Sequence, residues 1–198
     1  MRSTMATNLL NVYERSTTDD LREGLAFYPD AVAQVNQWAS TLRVSPKVVA
    51  CVVSALSPNV DWPHNLVAAC ALLFDDDSFV YRGYRSNWDK AARIYSALAE
   101  DITPYYPFGF KVRPFSLNLM GDCESVTVDT HALQAAHDDV LSRINGMRTI
   151  DVYSRYAEAY KQASIVTGFV PCDFQSIIWH AWRRMYPSVY KRRVRTRR

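Results

Sequence analysis

Glycine is scarce, at 6 of 198 residues. A chain so poor in the residue that turns most freely is badly suited to a turn-rich all-β fold. No run of 18 or more apolar residues occurs, so nothing in the sequence reads as a membrane span and no membrane partner is expected. Met1 to Glu14 lacks the apolar stretch of a signal peptide, which sets the expectation of a cytoplasmic protein. The four cysteines, Cys51, Cys70, Cys123 and Cys172, are far apart and form no CxxC pair, which argues against an iron–sulfur cluster or a structural zinc. They read as reduced core thiols. His64, His131, His137 and His180 show no metal-ligand spacing, so neither a metal nor any other cofactor is expected.

What is abundant is apolar side chain: 48% of residues are hydrophobic and 13% aromatic, enough for a sizeable core. The length fits one domain, placed at residues 1–186, followed by a tail at 187–198. The net charge of +3 hides an asymmetry. From Arg183 to Arg198 there are eight basic residues and no acidic one, which leaves the first 182 residues with 15 basic and 20 acidic, a net of −5. Arg183, Arg184, Lys191, Arg192 and Arg193 thus form a cationic arm on a mildly acidic body. Such an arm suits nucleic-acid phosphates and would make binding salt-sensitive; a solvated basic terminus is the other reading.

Helix signals dominate. Pro29-Asp30 reads as a helix start, with Asp30 as N-cap and Val32, Val35, Trp38 and Leu42 at helical spacing. Ser45-Pro46 starts a helix running to Leu56 that is apolar nearly all round and therefore central. Asp61 caps another, through Phe74; Ser86, with Asp89 three residues on, opens one through about Glu100. After the irregular, aromatic stretch Asp101 to Phe110, a short helix spans about Lys111 to Met120, with Pro114 in its first turn, and Gly121 ends it. Val126 to Val128 is an extended piece. Asp129 then caps a helix to about Arg143, a long helix runs from Asp151 to Val166 and stops at Gly168, and a last one runs from near Asp173 to before Pro187. The class is all-α, with about eight to ten helices.

The most informative tetrapeptide is Val128-Asp129-Thr130-His131, which follows Gly109-Phe110-Lys111 with 18 residues from Lys111 to Asp129. Here the chain resembles the helix-hairpin-helix DNA glycosylases of the endonuclease III and adenine glycosylase type, whose hairpin ends in a lysine and is followed by a helix and then V-D-T-H. Val53-Ser54-Ala55-Leu56-Ser57 and the helix Asn87 to Leu98 resemble the corresponding upstream segments. The resemblance implies a compact helical glycosylase-like fold, with Lys111 as nucleophile, Asp129 as catalytic carboxylate, and Gly109 and Arg113 near DNA. Cleaving an N-glycosidic bond develops positive charge at C1′; a carboxylate beside that carbon stabilises it, and a neutral lysine amine attacking it would give a Schiff base. Asp129 taken alone is a helix cap, and that reading stands beside the catalytic one. Pro107 occupies the place of the hairpin's first glycine, so the hairpin is degenerate. Pro107 has no N–H to offer a phosphate.

A narrower resemblance covers more of the chain. Ala55-Leu56-Ser57-Pro58 with Trp62 and Asn65, Lys111-Val112-Arg113-Pro114-Phe115 with Asn118, and Phe174 to Trp179 through Arg184 are similar to a phage and bacterial group related in fold to the α-glutamyl/putrescinyl thymine pyrophosphorylases. This implies a DNA partner carrying a modified pyrimidine. Ser57, Asn59, Trp62 and Asn65 lie at or just after a helix end, and Gln175, Trp179 and Arg183 share one helix face. With His131 they are candidates to hold a base taken out of the stack, although the tryptophans also suit a core and the amides could satisfy buried backbone. The expectation is a DNA glycosylase excising a damaged or modified base. A transferase of pyrimidine hypermodification and a non-catalytic nucleic-acid-binding protein are the alternatives.

Overall fold

A computed structural model describes residues 4–76, 78–81, 83–107, 109–142 and 149–187. Among the described residues there are nine α-helices and no strand. They are α1 (Thr4–Glu14), α2 (Thr18–Leu42), α3 (Pro46–Leu56), α4 (Trp62–Leu73), α5 (Arg85–Ser96), α6 (Val112–Leu119), α7 (Thr130–His137), α8 (Ile150–Thr167) and α9 (Pro171–Met185). None is long and apolar enough to cross a membrane. The chain divides into two compact units, one of Ala31–Gly121 and one of Met1–Asp30 with Asp122–Arg198.

In the unit of Ala31–Gly121, α3 packs against α4, α5 and α6. Ser45 Oγ accepts the Lys47 N–H (3.3 Å) and Pro46 fills the first position, as the sequence predicts. Every residue from Val48 to Leu56 is buried, so the carbonyls at the helix end cannot turn to water. Side chains take them instead. Asn65 Nδ2 donates to Val53 O (3.2 Å), Ser57 Oγ to Ser54 O (2.9 Å), Tyr106 Oη to Ala55 O (2.8 Å) and Tyr81 Oη to Leu56 O (3.0 Å). Burial raises the pKa of both tyrosines, which keeps these hydroxyls as donors.

In the other unit, α1 packs on α7, α8 and α9 through buried Ala6, Leu9 and Val12. The first half of α2 runs antiparallel to α9. Asp20 meets Arg184, Glu23 meets His180, Gly24 lies on Ile177, Phe27 on Trp179, and Tyr28 on Gln175.

Several sequence expectations need correction. The helix expected to start at Asp30 starts at Thr18, because Thr17 and Asp20 form a reciprocal cap: Thr17 N–H donates to Asp20 Oδ2 (2.8 Å) and Asp20 N–H to Thr17 Oγ1 (3.2 Å). Pro29 lies inside the helix, where it has no N–H to give to the Leu25 carbonyl. Ser86 is not the cap of α5; the helix opens at Arg85, and Asp89 instead accepts from Arg85 Nε (3.0 Å) one turn away. α5 stops at Ser96 rather than Glu100. α7 stops at His137 rather than Arg143, because Asp138 turns left-handed (φ 48°) and the Asp138 and Asp139 N–H groups close on Ala135 O and Gln134 O; Arg143 itself lies outside the described residues. All four cysteines are thiols outside any disulfide, but only Cys51 and Cys172 are buried, while Cys70 and Cys123 are exposed. Cys70 falls on the outer side of α4, whose buried residues include Ala69 and Ala71 on either side of it.

Two predictions follow from the α2–α9 contact. A Cβ at Gly24 would stand 2.6 Å from Ile177 Cα and 2.7 Å from its N, so Gly24→Ala must push the helices apart and should cost about 2 kcal/mol or more in denaturant melts. Burial pushes the Asp20 carboxyl up, but the bonds from Thr17 and Arg184 outweigh it and hold its pKa below the ordinary value. Such a carboxylate stabilises the fold above its unfolded pKa, about 3.9, and that stability is lost as pH falls through the folded value. Asp20→Asn should therefore lose about 1–3 kcal/mol at pH 7, and the gap from wild type should close as the melts are repeated below about pH 4.

Candidate active site

The approach to Asp129 is an extended segment with no sheet to pair with. Tyr153, on α8, supplies the partner: its hydroxyl accepts the Val128 N–H (2.8 Å) and donates to Val126 O (2.8 Å). Tyr160, two turns on, donates to Ala132 O (3.0 Å). Burial raises the pKa of both tyrosines, with the charge of Asp129 adding to it, so both hydroxyls stay protonated.

Asp129 itself is half-buried and caps α7 as expected, Oδ1 accepting the Ala132 N–H (2.9 Å). Its other oxygen, Oδ2, accepts from Trp179 Nε1–H (3.1 Å). The Arg183 guanidinium carbon lies 4.2 Å from the centre of the Trp179 ring. The rings of His180, His131 and Phe27 surround that indole at 5.1, 6.2 and 6.3 Å. The face shared by Gln175, Trp179 and Arg183 is thus real in part: Trp179 and Arg183 stack, while Gln175 is buried and accepts from Tyr28 Oη (3.0 Å).

Beside this group lies an open cleft of about 520 Å³, lined by Asp20, Glu23, Trp179, His180, Arg183 and Arg184 among others. His180 Nδ1 lies 3.2 Å from Glu23 Oε2; burial lowers the pKa of the imidazole while Glu23 opposes it. Arg184 has a structural use here, donating to Asp20 Oδ2 (2.8 Å) and to Arg15 O (2.9 Å).

In the unit of Ala31–Gly121 the expected residues form a second group. Lys111 holds the N-cap position of α6. Gly109 precedes it where a Cβ would stand 2.6 Å from Tyr106 Cβ, so this turn demands a residue without one. Lys111 Nζ lies 5.8 Å from the centre of the Phe115 ring, which meets Trp62 edge-on at 6.1 Å. Lys111, Phe115 and Trp62 therefore come together. Ser57 and Asn65 serve the end of α3, Asn59 is exposed with a left-handed backbone (φ 62°), and Arg113 is exposed on α6. Of the tail, Lys191, Arg192 and Arg193 lie outside the described residues, as does Phe108. Among the described residues no group of three His, Cys, Asp or Glu side chains is placed to hold a metal ion.

Sequence reasoning missed Tyr153, Tyr160, Phe27 and the Glu23–His180 pair. The tyrosines lie seven apart on α8, a helical spacing that marks one face but not the hydroxyl contacts made from it.

A model described as a family of unknown function, DUF7178, matches residues 1–186. The chain belongs to the DUF7178 family. No curated protein and no solved structure matches it. For this DUF7178 chain, then, the geometry around Asp129 is the starting point for function. Removing the hydroxyl that organises the approach tests it: Tyr153→Phe leaves the Val126 carbonyl and the Val128 N–H without their partner and should cost about 2–3 kcal/mol in stability.

Proposed function

We propose that this chain is a DNA glycosylase that excises a damaged or modified base, with Asp129 as the carboxylate that stabilises charge at C1′ and Lys111 as the attacking amine. The observation that supports it best is the state of Asp129: a half-buried carboxylate at a helix N-terminus, with one oxygen spent on the cap and the other on an indole N–H. Both bonds favour the ionised form, the form that stabilises a developing cation. An aromatic ring with a stacked guanidinium beside it is chemistry suited to a base and its phosphate. The role of Lys111 rests on the sequence resemblance and on its place before α6, next to Phe115. Arg113 and the basic tail provide the charge for DNA.

Borohydride trapping on DNA bearing modified pyrimidines tests the reading. A covalent protein–DNA band is expected from wild type and not from Lys111→Ala, and Asp129→Asn should slow base release at least about 100-fold. Base release without a trapped band, still dependent on Asp129, would leave a glycosylase that uses water in place of the lysine. Neither band nor release would overturn the proposal.

A further inference from the structure

We propose that Trp179 is a positioning residue for the Asp129 carboxylate, and that the Arg183 guanidinium stacked on the indole strengthens its hold. Capping α7 requires one oxygen of Asp129, and Oδ1 supplies it. Ser45 and Thr149 each cap a helix through a single hydroxyl, while the Asp20 carboxylate in the cap of α2 has a distant tie of its own, from Arg184. At Asp61 a further contact comes from His64 within the same first turn. The second tie of Asp129 comes from a residue 50 positions away on another helix. It is surplus to capping. What it adds is control of the plane of the carboxylate, because a group held at both oxygens cannot rotate about Cβ–Cγ. The lone pairs of both oxygens then point in fixed directions.

The donor is suited to this. An indole N–H donates and cannot accept, so it bonds the ionised carboxylate more strongly than the neutral acid. The indole is itself fixed by Phe27, His131 and His180 around it, so Nε1 cannot swing away without opening those contacts. Arg183, one turn further along α9, places its guanidinium over the ring at 4.2 Å. A cation on the face of an indole draws electron density from the ring and makes its N–H a stronger donor. Asp129, Trp179 and Arg183 thus form one polarised chain from carboxylate to cation.

The test does not depend on the enzyme reading. The Asp129 carboxyl is followed by carbon NMR through an acid titration in the full-length protein. Trp179→Phe, which keeps an aromatic ring and removes the N–H, should raise the midpoint by roughly 0.5–1 pH unit. Arg183→Gln should raise it less, and should have little effect when Trp179 is already Phe. Equal effects of Arg183→Gln in both backgrounds would show a direct field rather than action through the indole, and would overturn the relay. A Trp179→Phe protein that melts earlier but titrates as wild type would reduce Trp179 to packing and overturn the proposal. Should Trp179→Phe fail to fold, an unmoved midpoint in Arg183→Gln overturns the Arg183 part. The Trp179 part is then read from Trp179→Leu, in which a midpoint unchanged from wild type while the protein stays folded overturns it, since leucine brings neither a donor nor a charge. The rate arm rests on the glycosylase reading: Trp179→Phe should lower single-turnover base release about 10-fold with the DNA fully bound, and should have no further effect in Asp129→Asn. A shifted midpoint in a protein that releases no base would keep the positioning role and remove the glycosylase.

Discussion

A helix buried on every side carries an obligation at its end. α3 has no residue from Val48 to Leu56 open to solvent, and the last carbonyls of any helix have no partner within it. Leaving them unpaired would cost about 1–3 kcal/mol each. Four side chains discharge the debt, drawn from the loop after α3, from α4, and from the two aromatic loops on either side of α5. This gives Tyr81 and Tyr106 a use at their places in those loops. It also assigns Asn65 and Ser57 a structural use that residue type alone does not distinguish from substrate binding.

The second polar centre works by a different economy. The segment before α7 is extended but unpaired by any strand, and the Tyr153 hydroxyl does for it what a neighbouring strand would do, accepting one backbone group and donating to another. Asp129 follows at the point where this rigid approach meets the start of a helix. Both of its oxygens are engaged, one by the cap and one by the indole. A group so restrained is preorganised rather than blocked, which is the property electrostatic catalysis requires.

Local chemistry was legible in the sequence. Ser45-Pro46, Asp61, Asp129 and Gly168 each act where they stand, through a cap or a left-handed turn, and each is found there. The start of α2 was hidden because Pro29-Asp30 imitates a helix start, while the true cap at Thr17 uses an Asp in the place where Glu or Gln is usual. The end of α7 was hidden because a left-handed turn at Asp138 gives no signal as strong as glycine. At the site, spacing brought Trp179 and Arg183 onto one face, and a motif singled out Asp129. The bond between Trp179 and Asp129 was beyond reach, since nothing in either local sequence specifies a partner 50 residues away.

The order of the chain through its two units has a consequence for synthesis. The unit of Ala31–Gly121 is continuous, so all its contacts are available once its last helix has emerged. The other is split: α1 packs against α7, α8 and α9, which are made last. Until then Ala6, Leu9 and Val12 lack these partners, and α1 must wait for them through the translation of about a hundred intervening residues. The N-terminal segment is therefore where a nascent chain of this protein would most need a chaperone.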